Sequence, residues 1–286
     1  MSDGPAWAVG RSGLLPEARQ ARRPPAVAVA LAAATGLSAT LVHAFLWQRQ
    51  ADPLSAAALT SGATYAAALL GILLVHEAGH QWAARHHGVP VSAPLLLPFP
   101  LLFGTFGAVI HLRGRPRDRH ALLVLGLAGP LAGGLAILAV LVIRGVLGAP
   151  DLPGTPSVAL AAPLGWRVLG GSPTVDPADP LAFAAWTGAF VTWTNLLPFG
   201  QLDGGHAAAA LAPRWHRALG WGVTGGLLVG ALWWPAWALW AIGLQLLGSR
   251  SALAIGSASA PPGRTGWALA AVAGVLALAC AVPVPF

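Results

Sequence analysis

Residues 71–84 read GILLVHEAGHQWAA, an apolar run that contains two histidines and a glutamate. Glu77 is one of only two glutamates in the chain, and it lies between His76 and His80. On a helix, residues four apart share a face, so the two imidazoles can bind one metal ion with Glu77 beside them as a general base. The alternative is that neighbours on the helix satisfy both histidines. Because ionisable residues are costly at membrane depth and are retained there for function, the metal site is the favoured interpretation.

The composition around this motif predicts a membrane protein. Apolar residues make up 56% of the 286 residues and charged residues only 9%, whereas soluble domains carry about a quarter charged residues. A membrane-spanning helix requires about 20 apolar residues. Six runs approach or exceed that length: residues 26–47, 56–84, 121–143, 181–197, 218–247 and 266–282. The predicted fold is therefore an all-α polytopic membrane protein of about six transmembrane helices, with Pro235 kinking the fifth.

All 16 basic residues are arginines, and they cluster at the ends of the apolar runs. Such clustering indicates orientation in a membrane and argues against nucleic-acid binding. If six spans alternate, the arginine-rich segments share the cytoplasmic side, and so do both termini. The first span is interpreted as uncleaved rather than as a signal peptide. The absence of lysine hints at a prokaryotic cell membrane.

Between the second and third spans, residues 89–120 are apolar but interrupted by Pro and Gly. The part at 103–112 has strand character. Non-helical backbone at membrane depth must be covered by protein or line a cavity, so a re-entrant loop or short β-hairpin near the HEAGH motif is expected. Residues 148–180 are rich in Pro and are predicted to form an aqueous loop.

Two histidines leave a catalytic zinc site incomplete, because such sites usually have three protein ligands. Asp203, in the stretch NLLPFGQLDGGH at 195–206, is the only other carboxylate in an apolar context. Pro198, Gly200 and the glycines after Asp203 break the helix there, which lets the carboxylate face a cavity. Two alternatives are that Asp203 caps a helix and that His206 is the third ligand.

The paired motifs HEAGH and NLLPFGQLDGGH resemble those of the site-2 protease family of intramembrane metalloproteases. Residues 103–110 (FGTFGAVI) and 127–133 (LAGPLAG) extend the resemblance, which covers about 71–212. Within that family, the chain resembles the short branch whose members have no PDZ or CBS domain. From the residues alone, Gly126, Gly129 and Gly133 are interpreted as close helix packing with no chemical role.

The resemblance implies one zinc ion per chain, bound by His76, His80 and Asp203. Glu77 would be the general base, and Asn195 would hold the substrate carbonyl or its developing oxyanion. Residues 1–25 would be a cytoplasmic tail, and 26–286 a membrane-embedded protease domain with its catalytic core at 56–212. Substrates would be transmembrane proteins, an anti-sigma factor among the possibilities, cleaved in contact with membrane lipid.

A helical substrate must unwind before cleavage, and an edge strand can capture the unwound segment by backbone pairing. The candidate substrate-binding residues are Gly104, Thr105, Phe106 and Gly107; the alternative is a packed re-entrant plug. Two other functions stay open at this point. One is a metal transporter, and the other is an inactive relative that binds membrane proteins.

Overall fold

The computed structural model describes residues 25–48, 51–110, 112–150, 152, 158–248 and 260–282. The predicted N-terminal tail lies outside the described residues, apart from Pro25. In chain order the elements are α1 (Pro25–Val42), a π-helical turn (His43–Trp47), α2 (Ala56–His86), β1 (Leu95–Pro98), β2 (Thr105–Val109), α3 (Arg119–Leu147), β3 (Leu160–Ala161), α4 (Leu164–Val168), β4 (Thr174–Val175), α5 (Pro180–Asn195), α6 (Asp203–Leu211), α7 (His216–Gly230), α8 (Ala236–Gly248) and α9 (Arg264–Cys280).

Helices dominate the described residues, and the predicted polytopic all-α fold class is confirmed. Three stretches are long and apolar enough to cross a membrane: Ala26–Trp47, Ala56–His86 and Arg119–Leu147. They correspond to the first three predicted spans. The fourth and sixth predicted spans correspond to α5 and α9, which have 16 and 17 residues.

Close contacts at glycines set the directions of the first three helices. Gly62 of α2 lies against the backbone of Thr40 in α1, and Gly79 lies against Ala128 in α3. In both pairs the helices run antiparallel. We call the end of the bundle where α2 ends and α3 begins the site face, and the opposite end the far face. At the far face, Arg144 near the end of α3 forms an ion pair of 2.7 Å with Asp179, the N-cap of α5.

The fifth predicted span is wrong, because the chain reverses within it. Helices α7 and α8 form a hairpin in which the side-chain amide of Gln245 donates to Thr224 Oγ1 at 2.7 Å. Trp237 near the start of α8 packs against Gly230 at the end of α7. At 1.5 Å per residue the arms are about 20 Å long, which is less than the roughly 30 Å hydrocarbon core of a bilayer. Within a helix, proline removes a hydrogen bond and clashes with the previous turn, whereas at the first position of a helix it is favourable. Pro235 directly precedes α8, and the chain turns before it.

The prediction that both termini lie on one side concerns residues outside the described ranges, but the ends of the first and last described helices can be placed. Helix α9 begins at the site face, where Gly266 lies against His120 and Leu123 of α3. It ends at the far face, where the amide of Leu164 donates to the carbonyl of Ala281. Because α1 begins at the site face, the first described helix starts and the last one ends on opposite faces.

Strands β1 and β2 form the expected re-entrant hairpin. They pair antiparallel with Leu95 opposite Val109, and the register shifts between Leu97 and Pro98. Two donors hold the tip: Trp47 Nε1 donates to Leu102 O at 2.7 Å, and the hydroxyl of Tyr65 donates to Phe103 O at 2.9 Å. Both carbonyls of the tip thus have side-chain donors from neighbouring helical segments.

The segment 148–180, predicted as an aqueous loop, is partly packed against the bundle. Its two short strands pair through Leu160 and Val175, both buried. Trp186 of α5 donates its ring N–H to the carbonyl of Ala161 at 2.8 Å. The part of this segment at 151 and 153–157 lies outside the described residues.

Candidate metal centre

Three predicted ligands converge between α2 and α6. His76 Nε2 lies 3.2 Å from Asp203 Oδ2, and His80 Nε2 lies 3.2 Å from Asp203 Oδ1. The two Nε2 atoms are 3.1 Å apart. The two imidazoles approach different oxygens of the carboxylate, and one ligand atom from each residue forms a triangle whose corners lie within 4.8 Å of one another.

This triangle fits a tetrahedral metal ion. In such a site, Zn–N distances of about 2.0–2.1 Å place neighbouring ligand atoms roughly 3.3 Å apart. The observed separations of 3.1–3.2 Å match that spacing. Two imidazoles and one carboxylate also leave a fourth position free, as catalytic zinc sites do.

The orientation of His80 is set by α3. Its Nδ1 donates to the carbonyl of Leu125 at 2.7 Å. This bond places the ring proton on Nδ1 and leaves the Nε2 lone pair directed at Asp203 and His76. The hydrogen bond is therefore of the kind that orients metal-binding histidines.

Two glycines of α3 make room for the imidazoles. A Cβ atom at Gly129 would overlap the ring of His80, and one at Gly133 would meet His76 at 3.0 Å. Gly126 similarly faces the backbone of Asp203 and the Cβ of His206. The interpretation of these glycines as helix packing alone is therefore too narrow, because they make space for the ligands and for the helix that carries Asp203.

Asp203 is carried into position by a sharp break between α5 and α6. Gly204 and Gly205 pass so close to the carbonyls of Leu196, Phe199 and Gly200 that any Cβ there would clash. The N-cap of α6 is Leu202, which makes no side-chain capping bond. The helix-cap alternative for Asp203 is therefore not what the structure contains.

The rival ligand His206 is outside the ligand group found among the described residues, which consists of His76, His80 and Asp203. It lies one turn beyond Asp203 on α6, with its Cβ beside Gly126. Asp203, and not His206, is therefore the residue of α6 that joins the two imidazoles in this group.

Glu77 is buried beside the triad, with 5% of its surface exposed. Its Oε2 has no hydrogen-bond partner among the described residues. A buried carboxylate oxygen without a partner is costly, and such a group usually belongs to a functional site. Here it adjoins the group of ligand atoms, where a water molecule and a substrate would have to bind.

Asn195 occupies a different setting from the triad. It is the last residue of α5 and is partly buried. Its side chain lines a small cavity whose other walls include Trp237, Trp240 and Leu244 of α8. The predicted oxyanion partner is thus adjacent to the helical hairpin that replaces the fifth span.

The predicted substrate-binding residues divide into two pairs. Gly104 lies against the backbone of Ala39, and Thr105 is buried with its hydroxyl donating to Leu97 O at 3.0 Å. Both stabilise the hairpin itself. Phe106 is 67% exposed, whereas Gly107 is buried, with a φ of 99° and its amide donating to Thr105 Oγ1 at 2.9 Å. In this second pair, Phe106 therefore offers the accessible part of β2.

The sequence model of peptidase family M50 matches residues 64–220, which include all three ligands, Glu77 and Asn195. This match covers more than half of the chain. The chain therefore belongs to peptidase family M50, the site-2 protease family.

Among curated relatives, "probable zinc metalloprotease EGY1, chloroplastic" of Arabidopsis thaliana is 35% identical over 154 residues, covering 49% of this chain and 28% of that protein. The protein of the same name from Oryza sativa subsp. japonica is 33% identical over 154 residues, covering 49% and 26%. "Probable zinc metalloprotease EGY2, chloroplastic" of Oryza sativa subsp. indica is 33% identical over 168 residues, covering 55% and 30%. The chain spans less than a third of the length of these relatives. No solved structure matches it significantly.

Proposed function

We propose that this protein is an intramembrane zinc endopeptidase that hydrolyses peptide bonds in or near transmembrane segments of other membrane proteins. The observation that carries the proposal is the convergence of His76, His80 and Asp203 beside the unpartnered carboxylate of Glu77. Membership of peptidase family M50 supports it. The ligand atoms lie on helices long and apolar enough to span a membrane, or pack against them.

His76, His80 and Asp203 would hold one zinc ion per chain. When bound, zinc polarises a carbonyl oxygen and makes water a stronger acid. Glu77 accepts a proton from the attacking water as its oxygen bonds to the scissile carbonyl carbon. It then gives that proton to the amide nitrogen as the C–N bond breaks, so the products are a carboxylate and an amine.

Asn195 would donate its side-chain N–H to the substrate carbonyl as negative charge develops on the oxygen. Its place at the end of α5, one short connection before α6, supports a position close to the bound substrate. Trp237 and Trp240 would exclude water from that region, which strengthens a hydrogen bond to a developing charge.

The accessible part of β2 would bind the substrate. A transmembrane helix satisfies its own backbone groups, so it is cleaved only after local unwinding. The unwound segment could pair with the backbone of β2 at Phe106, whose exposed ring would pack on an apolar side chain. Gly104 and Thr105 would act indirectly by holding the hairpin.

The finer identity of the substrate and the membrane stays a prediction. A transmembrane regulator such as an anti-sigma factor follows from the family resemblance alone. The arginine-only basic set predicts a prokaryotic membrane, whereas the relatives named above are chloroplastic.

A cleavage assay with a matched pair of variants tests the proposal. Purified protein in detergent is incubated with a panel of single-span membrane proteins, with and without a zinc chelator. We expect wild-type cleavage that the chelator abolishes, and no cleavage by Glu77→Gln although it still binds zinc. Glu17→Gln, which changes the only other glutamate, is the control and should cleave normally. Cleavage by Glu77→Gln at the wild-type rate would refute the assigned base, and zinc transport unaffected by Glu77→Gln in proteoliposomes would favour the transporter.

A further inference from the structure

The helix that carries Asp203 is too short to hold its own position. Helix α6 has nine residues, DGGHAAAAL, and its N-cap makes no side-chain bond. Isolated helices shorter than about 12–15 residues are marginal in water. Its placement must therefore come from contacts with its neighbours.

One of those neighbours holds the far end of the helix. Arg119 donates through Nε to the carbonyl of Ala210 at 2.6 Å and through an Nη atom to the carbonyl of Leu211 at 2.9 Å. The last carbonyls of a helix lack partners within the helix, and a cation there also interacts favourably with the helix dipole. The planar fork of the guanidinium can reach two successive carbonyls, which the point charge of a lysine cannot do in the same geometry.

Arg119 is itself fixed in place. It is the first residue of α3, and the preceding N-cap residue Asp118 accepts from the amide of Ala121 at 2.8 Å. The same helix supplies Leu125 O, which orients His80. Helix α3 thus contacts both halves of the ligand set: His80 through a backbone carbonyl, and the Asp203 helix through Arg119.

We propose that Arg119 is a positioning residue of the metal centre, which fixes α6 so that the Asp203 carboxylate stays within reach of both imidazoles. The inference rests on the proposed function, because it presupposes that the triad binds a metal ion. Arg119 touches neither the metal site nor the substrate, and it acts through the end of α6 opposite to Asp203.

Metal affinity of the purified full-length chain tests this role. The dissociation constant for zinc is measured by competition with a chromogenic chelator for wild type, Arg119→Met, Arg119→Lys and Arg115→Met. Arg115 is exposed, lies in the loop just before α3, and its replacement removes the same charge in the control. We expect Arg119→Met to bind zinc at least about tenfold more weakly, the scale seen when partners that orient metal ligands are lost. Arg119→Lys should fall between, and Arg115→Met should match wild type.

The absorption spectrum of bound Co²⁺ provides a second readout, since it reports coordination geometry rather than overall stability. We expect it to change in both Arg119 variants and to stay unchanged in Arg115→Met. Wild-type affinity and spectrum in Arg119→Met would overturn the inference, as would equal losses in Arg119→Met and Arg115→Met. If Arg119→Met does not fold, the affinity and spectrum of Arg119→Lys decide in the same way. Failure of wild type itself to bind zinc would instead refute the proposed function.

Discussion

At the scale of single residues, the metal centre depends on glycines that leave space for the imidazoles as well as on the ligands themselves. His76 and His80 lie on one face of α2, and that face packs against Gly133 and Gly129 of α3. A side chain at Gly129 would overlap the imidazole of His80, and one at Gly133 would crowd that of His76. The glycines are therefore as specific to this site as the histidines are.

Gly129→Ala is predicted to disable metal binding. The added methyl group would overlap the ring of His80, because the required Cβ position coincides with that ring. The displaced ring would lose its hydrogen bond to Leu125 O, and zinc affinity should fall at least about tenfold. Zinc competition in detergent measures this change.

Gly145→Ala is the matched control, because it lies in the same helix with open space around its Cα. It should bind zinc like wild type. Equal affinity of Gly129→Ala and Gly145→Ala would show that the His80 ring does not need the space at Gly129.

A second residue-scale prediction concerns the tip of the β-hairpin. Tyr65→Phe removes the donor to the carbonyl of Phe103, and an unsatisfied buried acceptor costs about 1–3 kcal/mol. We expect a lower thermal unfolding temperature and faster proteolysis between β1 and β2. Thr64→Val is the control, since its hydroxyl bonds only to the carbonyl of Thr60 on the exposed side of the same helix. Equal stability and proteolysis of the two variants would contradict the role of Tyr65.

At the scale of secondary-structure elements, the α7–α8 hairpin is the feature that differs most from a chain of simple spans. Its arms pack Trp237 and Leu227 together in the core. Trp237 also stacks on Phe190 of α5, with ring centroids 5.9 Å apart. The tryptophans of this stretch thus have a packing role, which the sequence pattern alone did not reveal.

The reversal predicts a specific cross-link. In a background with Cys280→Ser, which removes the only native cysteine, the pair Thr224→Cys and Gln245→Cys should form a disulfide on mild oxidation. In a single continuous helix these positions would be about 30 Å apart, since 21 residues separate them at 1.5 Å each. The readout is a mobility shift on a non-reducing gel.

The control pair is Gly225→Cys with Gln245→Cys, because Gly225 is exposed and faces away from α8. It should not cross-link. A disulfide in neither pair, or equally in both, would argue against the antiparallel hairpin.

At the scale of the whole molecule, the helices do not follow the even number of membrane crossings that six simple spans would give. With α7 and α8 turning back to the site face, α9 crosses once more and ends at the far face beside Leu164. The positive-inside argument for the arginine-rich segments at the site face is unaffected. What differs from the six-span prediction is the face at which the last described helix, α9, ends.

Labelling with a membrane-impermeant thiol reagent tests this topology. In the Cys280→Ser background, single cysteines are placed at Arg115 (site face), at Gly170 (far face), or appended after Phe286. We expect the appended cysteine to react from the same side as Gly170→Cys and from the opposite side to Arg115→Cys. Labelling together with Arg115→Cys would restore the original prediction of a shared side for the termini.

The parts of this structure that could be predicted from the sequence are those governed by local spacing or by rarity. His76 and His80 are one helical turn apart, so their shared face follows from helix geometry. Asp203 stands out because a carboxylate in an apolar run is costly. The remaining features depend on which helices pack together. The run at 218–247 is equally apolar whether it kinks or reverses, and the role of Gly129 depends on a contact with a residue 49 positions earlier.

The zinc content of the detergent-purified protein shows whether α2 and α6 share one metal site. Wild type is compared with His76→Ala, Asp203→Ala and the control His206→Ala. We expect about one zinc per chain in wild type and in His206→Ala. Bound zinc should be lost in both His76→Ala and Asp203→Ala. Zinc retained in Asp203→Ala but lost in His206→Ala would contradict a metal site that includes Asp203.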